Sequence, residues 1–121
     1  MKPEATFLRL VESIQTTHRE LAAQAGNLTG GAVGGMKALI RRSVAQAQER
    51  KQFDKPIAEY GLVREKIAQM TVECFAAESA VWMVAHYIDS GCEDYSVEAA
   101  MTKVLASEAI QRTAKESLQI A

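Results

Sequence analysis

Apolar positions recur every three or four residues along almost the whole chain, which is the period of an α-helix and not the alternation of a strand. The first segment spans about Pro3 to Ala25, with Phe7, Leu10, Val11, Ile14, His18, Leu21 and Ala25 at helical spacing. Pro3 suits a first helical position because its missing N–H would be unpaired there. Glu4 sets negative charge at the positive end of the helix dipole. Gly26 and Asn27 tolerate the left-handed conformation that closes a helix, and predict its end.

A second segment begins near Thr29, a candidate N-cap, and ends near Gln52. Gly30, Gly31, Gly34 and Gly35 crowd its first turns, each costing about 1 kcal/mol of helix stability relative to Ala. Spacing of four within Gly30/Gly34 and Gly31/Gly35 lets a backbone or a flat ligand come close. Either tight helix packing or approach to a cofactor or substrate follows from it. Met36, Leu39, Ile40, Val44 and Ala47 then form one face. Pro56 disfavours a helical Lys55, so Asp54-Lys55-Pro56 is a break.

The third segment, Gly61 to Ser90, has the strongest period. Val63, Ile67, Met70, Cys74, Ala77, Val81, Val84 and Ile88 alternate steps of four and three, a heptad-type seam. Leu62, Phe75 and Trp82 lie on a neighbouring stripe and broaden the expected apolar face. A helix of about 30 residues is about 45 Å long and needs partners along its length. Gly91 is the stop. Segment four starts at Asp94 or Ser96 as N-cap, with Glu98 in the first turn. Val97, Ala100, Met101, Val104, Leu105, Ile110, Ala114, Leu118 and Ala121 are its expected apolar face. Ile120-Ala121 falls inside the pattern, so the end reads as cut rather than natural. Helices joined by short connections predict an all-α fold, an antiparallel up-and-down four-helix bundle, as a single domain over residues 1–121.

Composition narrows the function classes. Fourteen Lys plus Arg oppose fifteen Asp plus Glu, for a net charge of −1, which argues against a nucleic-acid partner. The sequence contains no run of about 18 apolar residues, so no transmembrane segment is expected, nor does it open with a secretory pattern. Cys74 and Cys92 are too few for a disulfide framework and read as free thiols. His18 and His86 lack metal spacing and sit in no Glu-x-x-His pair, so neither a metal site nor a di-iron bundle is expected.

Chemistry is concentrated in one place. Lys37, Arg41, Arg42, Arg50, Lys51 and Lys55 are opposed locally only by Glu49 and Asp54. A solvated face is one reading and an anion site the other. Arg50 is the best anion candidate, because a guanidinium at a helix end suits bidentate contact with phosphate. The glycine cluster is neither a dinucleotide fingerprint nor a P-loop, since no strand precedes it and Met36 stands where a P-loop has Lys. No carboxylates pair locally for acid–base work, so no catalytic residue is assigned.

Arg50-Lys51-Gln52-Phe53-Asp54-Lys55-Pro56-Ile57, then Tyr60-Gly61-Leu62-Val63 and Glu65-Lys66-Ile67-Ala68-Gln69-Met70, resemble the acyl-CoA dehydrogenase C-terminal domain. Glu98-Ala99-Ala100-Met101, Lys103 and Ser107-Glu108-Ala109 resemble its last-but-one helix, and Gln119-Ile120 the start of its Gln-Ile-x-Gly-Gly hinge. Tyr60-Gly61-Leu62 and Glu78-Ser79 lean toward the very-long-chain branch. The resemblance covers about residues 30–121, while residues 1–26 carry no motif matched to the family.

That resemblance implies a flavoenzyme of fatty acid β-oxidation. Such enzymes oxidise the α,β carbons of a fatty acyl-CoA with FAD and pass electrons to an electron-transfer flavoprotein. Their terminal bundle builds a dimer or tetramer and completes the neighbour's FAD site. Carried over residue by residue, Arg50 matches the arginine at the FAD pyrophosphate, with Gln52 and Phe53 in the same contact loop. Gln119 matches the glutamine near the adenosine. Asp54 replaces the family's Gly, and its charge should weaken the anion site. The family's catalytic Glu and other flavin-binding domains have no counterpart in the sequence, so the chain alone is expected to be inactive. The location implied is bacterial cytoplasm or mitochondrial matrix. A helical dimerisation or interaction module without chemistry is the alternative.

Overall fold

The computed structural model describes Ser13 and residues 28–121. The first predicted segment, with its His18 and its Gly26-Asn27 stop, otherwise lies outside them. Three helices dominate the described residues: α1 over residues 28–49, α2 over Gly61–Asp89 and α3 over Ser96–Ile120. The fold is all-α, as the period predicted. One small departure sits between α1 and α2. The second segment's helix stops at residue 49, and Lys51–Gln52 (β1) pairs antiparallel with Lys55–Pro56 (β2). Strands this short have no alternation to read. A 3-10 turn over Ile57–Glu59 leads into α2.

The buried clusters fix the direction of each helix. At one end Val84 packs with Tyr95 and Ala99. In the middle Val33 and Met36 meet Cys74, Ala77, Ala106 and Ala109. At the other end Ala47 meets Ile57, Met70 and Ile120. α1 and α3 therefore run one way and α2 the other. α1 presents Thr29, Val33, Met36, Ser43 and Ala47, all buried, at steps of four, three, seven and four. The predicted α2 seam holds: Met70, Cys74, Ala77 and Val84 are buried, and Val63, Ile67 and Val81 half-buried. Its last member, Ile88, sits at the exposed rim. The stop at Gly91 is also as expected. Gly91 adopts φ +72°, Cys92 N–H donates to Tyr87 O at 3.0 Å and Gly91 N–H to Ile88 O at 3.1 Å. Those two bonds satisfy carbonyls that the helix end would leave open.

Three expectations need correction. Leu62, Phe75 and Trp82 do not widen the core face of α2: they are 75%, 72% and 70% exposed. The face of α3 is misassigned. Ala99, Thr102, Ala106, Ala109, Thr113 and Ile120 are the buried residues, whereas Val97, Met101, Val104 and Leu118 point outward. Small side chains let α2 and α3 approach closely, and that contact decides which face turns in. Of the four clustered glycines only Gly35 serves close packing. A Cβ there would lie 3.0 Å from Ile110 Cδ1, while Gly30, Gly31 and Gly34 face open space.

The start of α3 divides the capping role. Tyr95 is the N-cap by backbone position and makes no side-chain cap bond. The Asp94 carboxylate instead accepts from Ser96 N–H at 3.2 Å and from Ser96 Oγ at 2.6 Å.

Candidate functional site

The β1–β2 hairpin stands at the end of the bundle where α1 stops. Its two loop residues, Phe53 and Asp54, have φ of 52° and 66°. Both are left-handed, the requirement of a two-residue type I′ hairpin turn. Such a turn favours Asn-Gly, and a non-glycine residue costs about 1–2 kcal/mol in this region, less for Asp. Asp54 thus occupies the position where the resembling family has its Gly for a backbone reason as much as an electrostatic one. The turn also explains Phe53, which is 88% exposed at the hairpin tip.

Local anchors hold this hairpin in place. Ile57 is buried against Ala47, Met70 and Ile120, so the 3-10 turn plugs the bundle end. Ile57 N–H donates to Arg50 O at 2.9 Å. Tyr60 Oη donates to Gln52 O at 2.9 Å, and Lys55 Nζ lies 4.3 Å from the centre of the Tyr60 ring. Tyr60 therefore grips one strand by a hydrogen bond and the other by a cation–π contact.

Arg50 follows the last turn of α1, with its N–H on Gln46 O at 2.9 Å. A cation there complements the negative end of the helix dipole. One guanidinium nitrogen, Nη1, donates to the Ala121 main-chain oxygen at 2.5 Å, bracing the end of α1 against the end of α3. Among the described residues no Asp or Glu side chain forms an ion pair with Arg50, Asp54 included. Gln119, on the last turn of α3, is exposed, and its Oε1 accepts from Lys66 Nζ at 2.7 Å.

The four residues singled out in the sequence come together. Arg50, Gln52, Phe53 and Gln119 line one cleft of about 340 Å³ with Ile57, Tyr60, Val63 and Ile120. Its lining combines a guanidinium and two amides with apolar and aromatic side chains, and no Asp or Glu lines it. That set suits an anionic group attached to a flat ring; it offers no general base. Two contributors escaped the sequence reading. Tyr60 and Lys66 are visible in the sequence only as members of the family motifs, with no partner indicated. A donor's partner eight or fifty-three residues away shows once the chain has folded.

A larger cleft of about 450 Å³ lies between α2 and α3. Two of its three cations are paired: Arg112 Nε binds Glu73 Oε2 at 3.0 Å and Lys66 binds Glu116. Glu73 holds the Arg112 guanidinium more firmly protonated than usual. Glu65, Glu73 and Glu116 line this cleft, so it suits an anion less than the smaller one, which no carboxylate side chain lines. Among the described residues no cluster of His, Cys, Asp or Glu could hold a metal, and no helix is long and apolar enough to cross a membrane. Cys74 is buried and its thiol is pushed above the ordinary range by desolvation, so it is a core residue; Cys92 is exposed in the turn.

Residues 14–121 match the family model described as Acyl-CoA dehydrogenase, C-terminal domain, and the match begins inside the first predicted segment. The mouse mitochondrial very long-chain specific acyl-CoA dehydrogenase is 38% identical over 87 residues, covering 72% of this chain and 13% of that enzyme. Glutaryl-CoA dehydrogenase of Desulfococcus multivorans is 33% identical over 103 residues, 85% of this chain and 25% of the enzyme. Among solved structures, a glutaryl-CoA dehydrogenase in complex with glutaryl-CoA superposes with a TM-score of 0.83 at 30% identity, over 86% of this chain and 26% of that one. The chain thus spans 13% to 25% of the length of these curated relatives.

Proposed function

The chain belongs to the acyl-CoA dehydrogenase family through its C-terminal domain, and on that premise we propose that it completes an FAD site and holds protomers together in a fatty acyl-CoA dehydrogenase. The observation that carries the reading is the convergence of Arg50, Gln52, Phe53 and Gln119 on one cleft that no Asp or Glu side chain lines. The residues fit the group. Arg50 would take the pyrophosphate, using donors beyond the Nη1 that holds Ala121. Phe53 would offer its exposed ring to a flat part of the cofactor, and Gln119 an amide to the adenosine. FAD, when bound, supplies the hydride acceptor for oxidation of the α,β carbons of an acyl-CoA.

No residue of this cleft can take a proton from carbon, so the chain's part is binding and assembly, and alone it does not turn over acyl-CoA. The whole enzyme's substrate is then a fatty acyl-CoA and its electron acceptor an electron-transfer flavoprotein. Its place is bacterial cytoplasm or mitochondrial matrix; the relatives include mitochondrial and bacterial enzymes. The cofactor belongs to a neighbouring protomer, which makes a homodimer or tetramer part of the reading. Exposed Val72, Phe75, Trp82 and Met101 favour such assembly, and equally favour the second reading, an interaction module without chemistry.

FAD titration of the purified chain tests the first reading. Arg50→Ala should weaken FAD binding by about tenfold or more, the worth of a charge-assisted hydrogen bond, with helicity unchanged. Arg50→Lys should recover only part, because an ammonium lacks the bidentate fork. Equal affinity for wild type and Arg50→Ala would refute a flavin role for this cleft. An acyl-CoA turnover assay with an artificial electron acceptor should give no rate for the chain alone.

A further inference from the structure

We propose that Tyr60 is a positioning residue: its hydroxyl, bonded to the Gln52 carbonyl, locks the strained hairpin in the one conformation that sets Arg50, Gln52 and Phe53 around the cleft. The inference rests on the FAD reading above and adds a residue through which that site works.

The argument starts from the turn. Phe53 and Asp54 both hold positive φ, and neither is glycine. Strain of this kind persists only where the surroundings over-determine it. The hairpin has little of its own to do so: each strand has two residues, in registers Lys51↔Pro56 and Gln52↔Lys55. An isolated hairpin of this size is not stable in water. Phe53 contributes nothing inward, being 88% exposed.

Tyr60 makes up the deficit from outside. Its backbone is fixed on both sides, by N–H on Ile57 O at 3.1 Å and by its own carbonyl, which takes Arg64 N–H at 3.1 Å as α2 begins. Its side chain is fixed at its far end by Oη on Gln52 O at 2.9 Å. Lys55 Nζ sits 4.3 Å from its ring centre, so the second strand is held too. The same ring lines the cleft beside Arg50 and Phe53. Gln52 immediately precedes the strained pair, so a clamp on its carbonyl sets the direction from which the turn departs. A phenylalanine would keep the ring and the cation–π contact and lose only that clamp.

The test is an FAD titration of the full chain as wild type, Tyr60→Phe, Asp54→Gly, the double variant and Arg50→Ala, with hydrogen exchange at the hairpin amides alongside. Tyr60→Phe should weaken FAD binding about two- to tenfold, the range of one net hydrogen bond, and speed exchange at Gln52 to Lys55. Melting should stay near wild type. Asp54→Gly removes a negative charge in either background, so the clamp is read from the difference: its gain in affinity should be larger in Tyr60→Phe than in wild type, because glycine enters the left-handed region without strain and makes the clamp dispensable. A merely structural tyrosine predicts the same gain in both. If Arg50→Ala weakens binding and Tyr60→Phe does not, the clamp is overturned and the flavin reading stands. If Arg50→Ala has no effect, or wild type fails to bind FAD, the flavin reading falls and with it the positioning role. Unchanged exchange in Tyr60→Phe refutes the clamp in every case.

Discussion

Thr113 carries a hydroxyl that the fold does not use. It is fully buried on α3, and its Oγ1 has no hydrogen-bond partner among the described residues. A buried unsatisfied hydroxyl costs about 1–3 kcal/mol, so Thr113→Val, nearly the same shape, should stabilise the chain by about 1 kcal/mol. A thermal melt reads it; an unchanged or lower midpoint would mean the hydroxyl holds a water in the α2–α3 cleft. At this scale the sequence picked out side chains that the fold brings to one cleft and was silent about what supports them. Arg50, Gln52, Phe53 and Gln119 were legible because a cation at a helix end and a motif in order survive without coordinates. Tyr60 on Gln52 and Lys66 on Gln119 were not, since each bond depends on a hairpin or a helix pair having already closed. Asp54 was legible as a missing glycine, and its φ of 66° supplies the physical reason.

α3 shows what a period alone leaves undecided. The helix carries a stripe of large apolar residues and a stripe of small ones, both at helical spacing. Size suggests that Val97, Met101, Val104 and Leu118 face inward, yet Ala99, Ala106 and Ala109 do. A small-residue seam brings backbones together, which gains dispersion contacts along two long helices at once. On α2 the heptad seam of Met70, Cys74, Ala77 and Val84 was read correctly, whereas size again misled for Leu62, Phe75 and Trp82, which point outward. Ala109→Leu should therefore be costly. Ala109 is 1% exposed, in the cluster with Met36, Cys74 and Ala77. Overpacking there should cost about 1–3 kcal/mol, measured by urea unfolding. Met101→Ala, on the outward stripe, should cost far less. The reverse ranking would restore the face expected from the large residues.

Over the whole molecule, the three described helices bury their seams and still leave large side chains in solvent. Val72, Phe75 and Trp82 sit on one side of α2 at steps of three and seven, and are 62%, 72% and 70% exposed. Helical spacing places them on a common stripe that the inner seam does not use. Exposed apolar groups in such a stripe mark contact with another surface. Assembly with a second copy would cover this stripe, which the other described helices leave exposed, and the FAD reading requires a neighbour in any case. Trp82 is the chain's only tryptophan, so its emission reports on that stripe alone. With self-association, the emission should shift to shorter wavelength and the melting midpoint should rise as protein concentration increases. Trp82→Glu, which removes the reporter itself, should cancel the concentration dependence of the melt and reduce the sedimenting mass to that of one chain, because pairing would bury an unpartnered carboxylate. Helicity should not change, since Trp82 lies off the seam of Met70, Cys74, Ala77 and Val84. A wild-type chain that stays monomeric at high concentration, with tryptophan emission fixed at the solvent-exposed position, would contradict assembly through this face.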